Sequence, residues 1–324
     1  MADAPPPPET PEPSEAGAQA TPAAGADGEA QTRAKPARVK RDREAEAPQL
    51  FTEAKDRLSK LEQLNIAAVR GTLTSRALDA MMGLGQRTLG AGWVHHCTKN
   101  LREVHGLERL PDPSTWTRFI LVSNHRSYFD MYVATMTLYR RGLARRMVFP
   151  VRSNFFYDSP LGLGVNAVMS WCSMYPPIFR ERKKLVLNHT AMTELAWLLA
   201  HRDIGIGIHP EGTRNKEADP YTLLPAQSGV GRLIHQSRVP VYPLFINGLI
   251  NDFPRQILSN FTGGGRRVII QFGAPVALDD LLAEPGTART YKAIAERVHA
   301  DIAALGQEER ARRAALDGAT SSGA

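Results

Sequence analysis

Trp116-Thr-Arg-Phe-Ile-Leu-Val-Ser123 runs straight into Asn124-His125-Arg126-Ser127-Tyr128-Phe129-Asp130. The first eight residues are a β-rich run, and the texture turns helical over 130–140. The same alternation recurs along the chain. Further β-rich runs are Arg146–Phe149, Asp203–Ile208, Val239–Phe245 and Arg267–Phe272, with helical stretches over 182–200 and 228–236 between them. Strands alternating with helices predict an α/β domain, a mostly parallel sheet flanked by helices. Folds of this kind keep their chemistry at strand ends, so the residues that follow each run carry the functional reading.

After the first strand, His125 is followed at four intervening residues by Asp130. An imidazole at a strand–helix junction can take a proton from a bound hydroxyl when a carboxylate holds its tautomer and stabilises the imidazolium. The same residues also read as a capping box, with Ser127 as N-cap and Asp130 at N3. After the strand at 203–208 comes His209-Pro210-Glu211-Gly212-Thr213-Arg214. Arg214 offers a fork of donors to a phosphate, and Glu211 can orient it or bind an acceptor hydroxyl. A plain Glu–Arg surface pair in a turn is the alternative for this loop.

Taken together, His-x4-Asp, then Glu-Gly-Thr-Arg about 80 residues later, then Val239-Pro-Val-Tyr-Pro243 resemble the glycerolipid acyltransferase superfamily. These are the PlsC-like relatives of 1-acylglycerol-3-phosphate acyltransferase, and the resemblance covers roughly residues 110–275. The family's second block is looser: Pro160-Leu-Gly162 stands for its Pro-x-Gly, Arg180 for its closing Arg, and Arg152 where many members carry Lys. The resemblance implies transfer of an acyl group from acyl-CoA or acyl carrier protein to a lysophospholipid hydroxyl, most simply that of 1-acyl-glycerol-3-phosphate. By it, His125 is the general base and Asp130 its orienting partner. Arg180, Glu211, Gly212, Thr213 and Arg214 bind the acceptor. Direct attack by a hydroxyl needs no protein nucleophile, and no Gly-x-Ser-x-Gly elbow is present. Neither a metal nor a resident cofactor is expected, the acyl thioester being a co-substrate. Glycerol-3-phosphate or a lyso-aminolipid as acceptor, or a non-catalytic lipid-binding protein on the same fold, are the competing readings.

The whole chain, 324 residues at a formal +7, is unevenly charged. Residues 1–32 hold six acids and no Lys or Arg, so 33–324 carry all 40 basic residues and 27 acids, a net +13. That excess suits an anionic partner: phosphorylated substrate, anionic membrane surface or nucleic acid. The basic residues lack aromatic interleaving or a helix-turn-helix signature, so nucleic acid is not expected. Residues 1–48, rich in Pro, Ala, Glu and Gly, read as a disordered tail without the basic and apolar regions of a secretory signal. Residues 49–110 read as an N-terminal helical segment, with Leu58, Leu61, Leu64, Leu73, Leu78, Met81 and Met82 among arginines. That pattern fits contact with a bilayer or packing on the neighbouring domain. The acyltransferase domain is placed at 111–306, and a frayed tail at 307–324. The expected setting is cytoplasmic, peripheral on the inner face of a membrane, since no apolar stretch nears the ~18 residues of a spanning helix. Cys97 and Cys172 read as ordinary reduced thiols. Gly162-Leu-Gly164-Val-Asn-Ala167 follows no strand and reads as a turn or helix contact. His95-His96-Cys97 project from different sides of a helix and do not suggest a metal site.

Overall fold

The computed structural model describes Phe51 and residues 55–321; the expected disordered tail at 1–48 lies outside the described residues. Helices α1 (Lys60–Thr74), α2 (Arg76–Gly85) and α3 (Ala91–Thr98) come first. Strands β1 (Arg102–His105) and β2 (Phe119–Ser123), helix α4 (Asp130–Tyr139) and strand β3 (Arg146–Arg152) follow. Next are a kinked turn, α5 (Ser153–Phe156), then α6 (Pro160–Met169), β4 (Met174–Ile178), α7 (Leu187–His201) and β5 (Ile204–Ile208). The chain continues through α8 (Ser228–Ser237), β6 (Val241–Asn247), α9 (Phe253–Thr262), β7 (Val268–Phe272), α10 (Asp279–Ala283) and α11 (Ala288–Ser321).

The seven strands form one sheet in the order β1-β7-β6-β2-β5-β3-β4. Every pair is parallel except β6 with β7. The α/β reading therefore holds. Strand β2 lies in the middle, and its residues alternate between two cores. Ile120 and Val122 pack with residues of α1, α7, α8 and α11 on one face, while Phe119 and Leu121 pack with α3 and α4 on the other. A side chain buried this fully contributes roughly 1.5–3 kcal/mol, so losing either helical layer would expose a whole face. Strand β5 reads Ile-Gly-Ile-Gly-Ile for the same reason. Its isoleucines face one core, and a Cβ on Gly205 would meet the Met147 sulfur at 2.2 Å and the Phe119 ring at 2.4 Å.

Two short edge strands depart from the expectation. Arg102–His105, assigned to the helical segment, pairs with β7, and Met174–Ile178, which carries two prolines, pairs with β3. Four residues without alternation give no strand signal, and proline is confined to sheet edges. The tail expected to fray from Gln307 is instead helix to Ser321. Its composition is poor in apolar residues, but Glu309 is fully buried. That carboxylate accepts from the Tyr221 hydroxyl at 2.6 Å and from Arg313, which in turn donates to the Arg267 carbonyl at 3.2 Å.

The N-terminal helices are fastened by buried charge as well as by Ile66, Val69 and Leu73 of α1. Arg146 of β3 donates to the Thr72 carbonyl at 2.7 Å, to Asp79 at 3.0 Å and to the Cys172 carbonyl at 3.0 Å. Arg70 meets Glu194 of α7 at 2.8 Å. Both terminal nitrogens of the buried Arg146 guanidinium are matched, as burial of a charge requires. Packing on the domain is thus the main role of α1. Helix α2 behaves differently, leaving Leu78, Met81 and Leu84 exposed.

Candidate active site

Strands β2 and β5 pair in parallel with Val122 opposite Ile208, so the loops after them emerge side by side. Glu211 joins the two. Its Oε1 accepts the His125 N–H at 2.9 Å and its Oε2 the Leu224 N–H at 3.0 Å, and only 3% of the residue is exposed. Burial raises its carboxyl pKa, and the two N–H donors pull it back. The Asn215 N–H donates to the His125 carbonyl at 2.7 Å. On the other flank, Asn124 donates to the Ile246 carbonyl and accepts the Ile246 N–H, both at 2.9 Å. A side-chain amide thereby extends the β2–β6 ladder past the end of the strand, and His125 is held from both neighbouring strands.

Asp130 opens α4 and is almost fully buried. Its Oδ2 accepts the N–H groups of Arg126 and Ser127, both at 2.6 Å, and lies 3.6 Å from His125 Nδ1. Both readings of the motif meet in this one carboxylate. Half of the capping box forms, since Ser127 N–H reaches Asp130, but Ser127 Oγ accepts from Phe129 N–H at 3.2 Å instead. A separation of 3.6 Å is longer than a hydrogen bond, and active-site contacts that are long in a free enzyme often tighten only once substrate is bound.

Burial raises the Asp130 pKa to about 6, against the pull of His209 and the two N–H donors. Burial lowers His125 to about 4, and the charges of Arg214 and Arg180 push the same way. Near neutral pH the pair is therefore a neutral imidazole beside a carboxylate. With Nδ1 turned to Asp130, Nε2 is the nitrogen left to take a proton.

His209 was quoted at the head of its loop without a role, and the fold gives it one. Its ring stacks on His125 with centroids 3.9 Å apart and planes 9° apart. Its Nδ1 lies 2.9 Å from the Asn124 carbonyl, which fixes a proton on that nitrogen. Burial, then the neighbouring His125, lower its pKa to about 3. Asn124 and Asn215 were missed in the same way; an amide just beyond a central strand end is the only hint a sequence offers.

Gly212, at φ +64°, turns the loop back so that its N–H reaches the His209 carbonyl at 3.0 Å. Its own carbonyl accepts from Arg180, just past β4, at 3.2 Å. The Arg214 guanidinium sits 4.1 Å above the Tyr128 ring, and Thr213 is half-buried in the same loop. His125, Asp130, Arg180, Glu211, Gly212, Thr213 and Arg214 are thus brought to one end of the sheet. Gly162 and Gly164 lie on α6, separated from β3 by the kinked turn α5, so no strand leads directly into them. His95 faces Arg102 at 2.9 Å, and His96 packs on Phe261.

Residues 101–247 match the family model described as Acyltransferase. The chain is 28% identical over 164 residues to 1-acyl-sn-glycerol-3-phosphate acyltransferase alpha of Mus musculus, covering 51% of each protein. To the beta form of Homo sapiens it is 30% identical over 125 residues, 39% of this chain and 40% of the relative. To 1-acyl-sn-glycerol-3-phosphate acyltransferase of Haemophilus influenzae it is 25% identical over 144 residues, 44% of this chain and 54% of the relative. The chain spans about half the length of the curated relatives it matches. These matches bear out the resemblance drawn from the motifs.

The stacked histidine makes a prediction about stability. His209 stays neutral in the folded chain down to about pH 3, whereas an unfolded histidine takes up a proton near 6.5, so falling pH favours unfolding. Phe at 209 keeps an aromatic face and has no proton to gain. Between pH 7 and pH 5, denaturant unfolding of the wild type should lose about 2 kcal/mol more than that of His209→Phe. Parallel pH profiles for the two proteins would remove this account of the stack.

Proposed function

We propose, from the membership of residues 101–247 in the glycerolipid acyltransferase superfamily, that the chain transfers an acyl group from acyl-CoA or acyl carrier protein to the hydroxyl of 1-acyl-glycerol-3-phosphate, giving phosphatidic acid. The observation that carries this reading is the neutral His125 beside buried Asp130, with Arg180 and Arg214 close enough to shift its pKa. His125 Nε2 accepts the proton as the acceptor oxygen bonds to the acyl carbon. The carbon–sulfur bond breaks, and the proton passes from the imidazolium to the departing thiolate. Asp130 holds the imidazole with Nδ1 protonated and offsets the charge it gains. Arg180 and Arg214 take the acceptor phosphate through charge-assisted hydrogen bonds. Glu211 acts one step back, keeping the His125 turn and the Arg214 loop in register. Glycerol-3-phosphate or a lyso-aminolipid as acceptor would use the same base with other contacts to the head group.

The setting we propose is peripheral, on the cytoplasmic face of an anionic membrane. No described helix is long and apolar enough to cross a bilayer. Leu78, Met81, Leu84 and Leu89 are exposed on one segment, and Val168 and Met169 on another. A Cβ on Gly85 would lie 2.2 Å from the Trp171 ring, so the two segments adjoin. Arg76 precedes the first and Arg87 lies within it, an arrangement suited to the headgroup region.

With acyl-CoA and 1-acyl-glycerol-3-phosphate, the full chain should release CoA and form phosphatidic acid by mass spectrometry. His125→Ala should lower kcat by roughly 10²–10⁴-fold, the usual contribution of a positioned base. Near-normal turnover in that variant, or no product with any donor or acceptor, counts against the reading. Leu84→Glu with Leu89→Glu should sharply reduce sedimentation with phosphatidylglycerol liposomes while leaving the fold intact. Undiminished sedimentation would place the membrane contact elsewhere.

A further inference from the structure

Little binds the imidazole of His125 directly. Its Nδ1 is buried without a hydrogen-bond partner, and so is Asp130 Oδ1. Asp130 Oδ2, 3.6 Å from that nitrogen, is already taken by the N–H groups of Arg126 and Ser127. Glu211 and Asn215 hold the His125 backbone and not its ring. Rotation about the bond from Cβ to an imidazole is broad and roughly two-fold, so a backbone anchor alone does not set the plane of the ring.

His209 supplies the missing constraint. The two rings lie 3.9 Å apart and within 9° of parallel. His209 is the better anchored of the two. Its Nδ1 lies 3.2 Å from the Ser123 carbonyl and 2.9 Å from the Asn124 carbonyl, so one N–H is shared between the peptide groups that lead into His125. Ser123 Oγ, 3.0 Å from the same nitrogen, donates to the Asn124 carbonyl at 2.9 Å. Behind the ring, the Gly212 N–H closes the turn on the His209 carbonyl at 3.0 Å. Burial keeps His209 neutral, so no charge is set against the imidazolium that His125 becomes. Tilting His125 out of the stack would drive it into this anchored ring, and a flip of the imidazole has to pass through that tilt. The stack fixes the plane, and the charge of Asp130 decides which edge faces it.

We propose, on the acyltransferase reading above, that His209 is a positioning residue: its stacked ring holds His125 in the plane in which Nε2 meets the acceptor hydroxyl. It acts through the base, and therefore on kcat rather than on the KM of donor or acceptor. A base held in one plane needs no reorganisation when the acceptor arrives, and a misplacement of about 1 Å can cost about 10²-fold.

Two variants isolate the ring. His209→Phe and His209→Leu both lose the Nδ1–H contacts and both fill the space, but only Phe keeps a flat face. With acyl-CoA and 1-acyl-glycerol-3-phosphate, His209→Leu should lower kcat roughly 10- to 100-fold with both KM values unchanged, while His209→Phe stays within a few-fold of wild type. Long-range proton–nitrogen correlation spectra of the full chain read the same ring without turnover. In the wild type and in His209→Phe, the His125 ring protons should be shifted upfield by the facing ring, with one tautomer protonated on Nδ1. In His209→Leu the upfield shift should be lost and both tautomers should appear. Equal kcat in the two variants, an effect confined to KM, or unshifted His125 ring protons in the wild type would overturn the proposal. A wild type that shows the shifts and turns over no donor with any acceptor would uphold the stack and defeat the acyltransferase reading.

Discussion

A single buried carboxylate ties the candidate site of this protein together. Glu211 takes a backbone N–H on each oxygen, one from the turn after β2 and one from the chain leading into α8. Leaving either donor unpaired in a buried position costs about 1–3 kcal/mol, so the arrangement is held as a unit. It is possible only because β2 and β5 are adjacent and parallel, so that both loops leave the same edge. Everything that gives the site its character follows from that adjacency. The His125–His209 stack and the approach of Arg214 to Tyr128 lie across the seam that Glu211 closes, and Arg180 reaches the Gly212 carbonyl from the β4 side.

Electrostatics then divides the labour. Titratable groups deep in the site are pushed toward neutrality by burial: both histidines downward, Asp130 and Glu211 upward. Toward the rim, Arg180 and Arg214 lack carboxylate partners among the described residues. A neutral imidazole thus sits beneath a positive rim. The positive excess of residues 33–324 therefore has at least one local destination, the rim at Arg180 and Arg214.

The central strands and their flanking helices were legible because their apolar runs are long and their boundaries marked. Phe119–Ser123 and Ile204–Ile208 are buried on both faces, and the loops after them carry polar side chains at close spacing. The edge strands were not legible. Arg-Glu-Val-His and Met-Tyr-Pro-Pro-Ile owe their strand character to partners distant in the chain. The order of α11 beyond Gln307 was hidden likewise, because Glu309 and Arg313 find their partners on Tyr221 and on the backbone at Arg267. Within the site, His125, Asp130 and the Glu-Gly-Thr-Arg loop could be named because their motifs, taken together in order, resemble a known family; each motif alone had a plainer structural reading. The tasks of Asn124, His209 and Glu211 depend on which strand neighbours which, and a linear pattern does not carry that.

Steady-state kinetics and thermal unfolding of Glu211→Gln test the central claim most directly. Gln leaves one backbone N–H facing an amide donor and keeps the side chain's size. If Glu211 holds the two loops together, kcat and Tm fall while the KM for the acceptor stays close to wild type. A raised acceptor KM with kcat and Tm unchanged would contradict the account and assign Glu211 to the substrate instead.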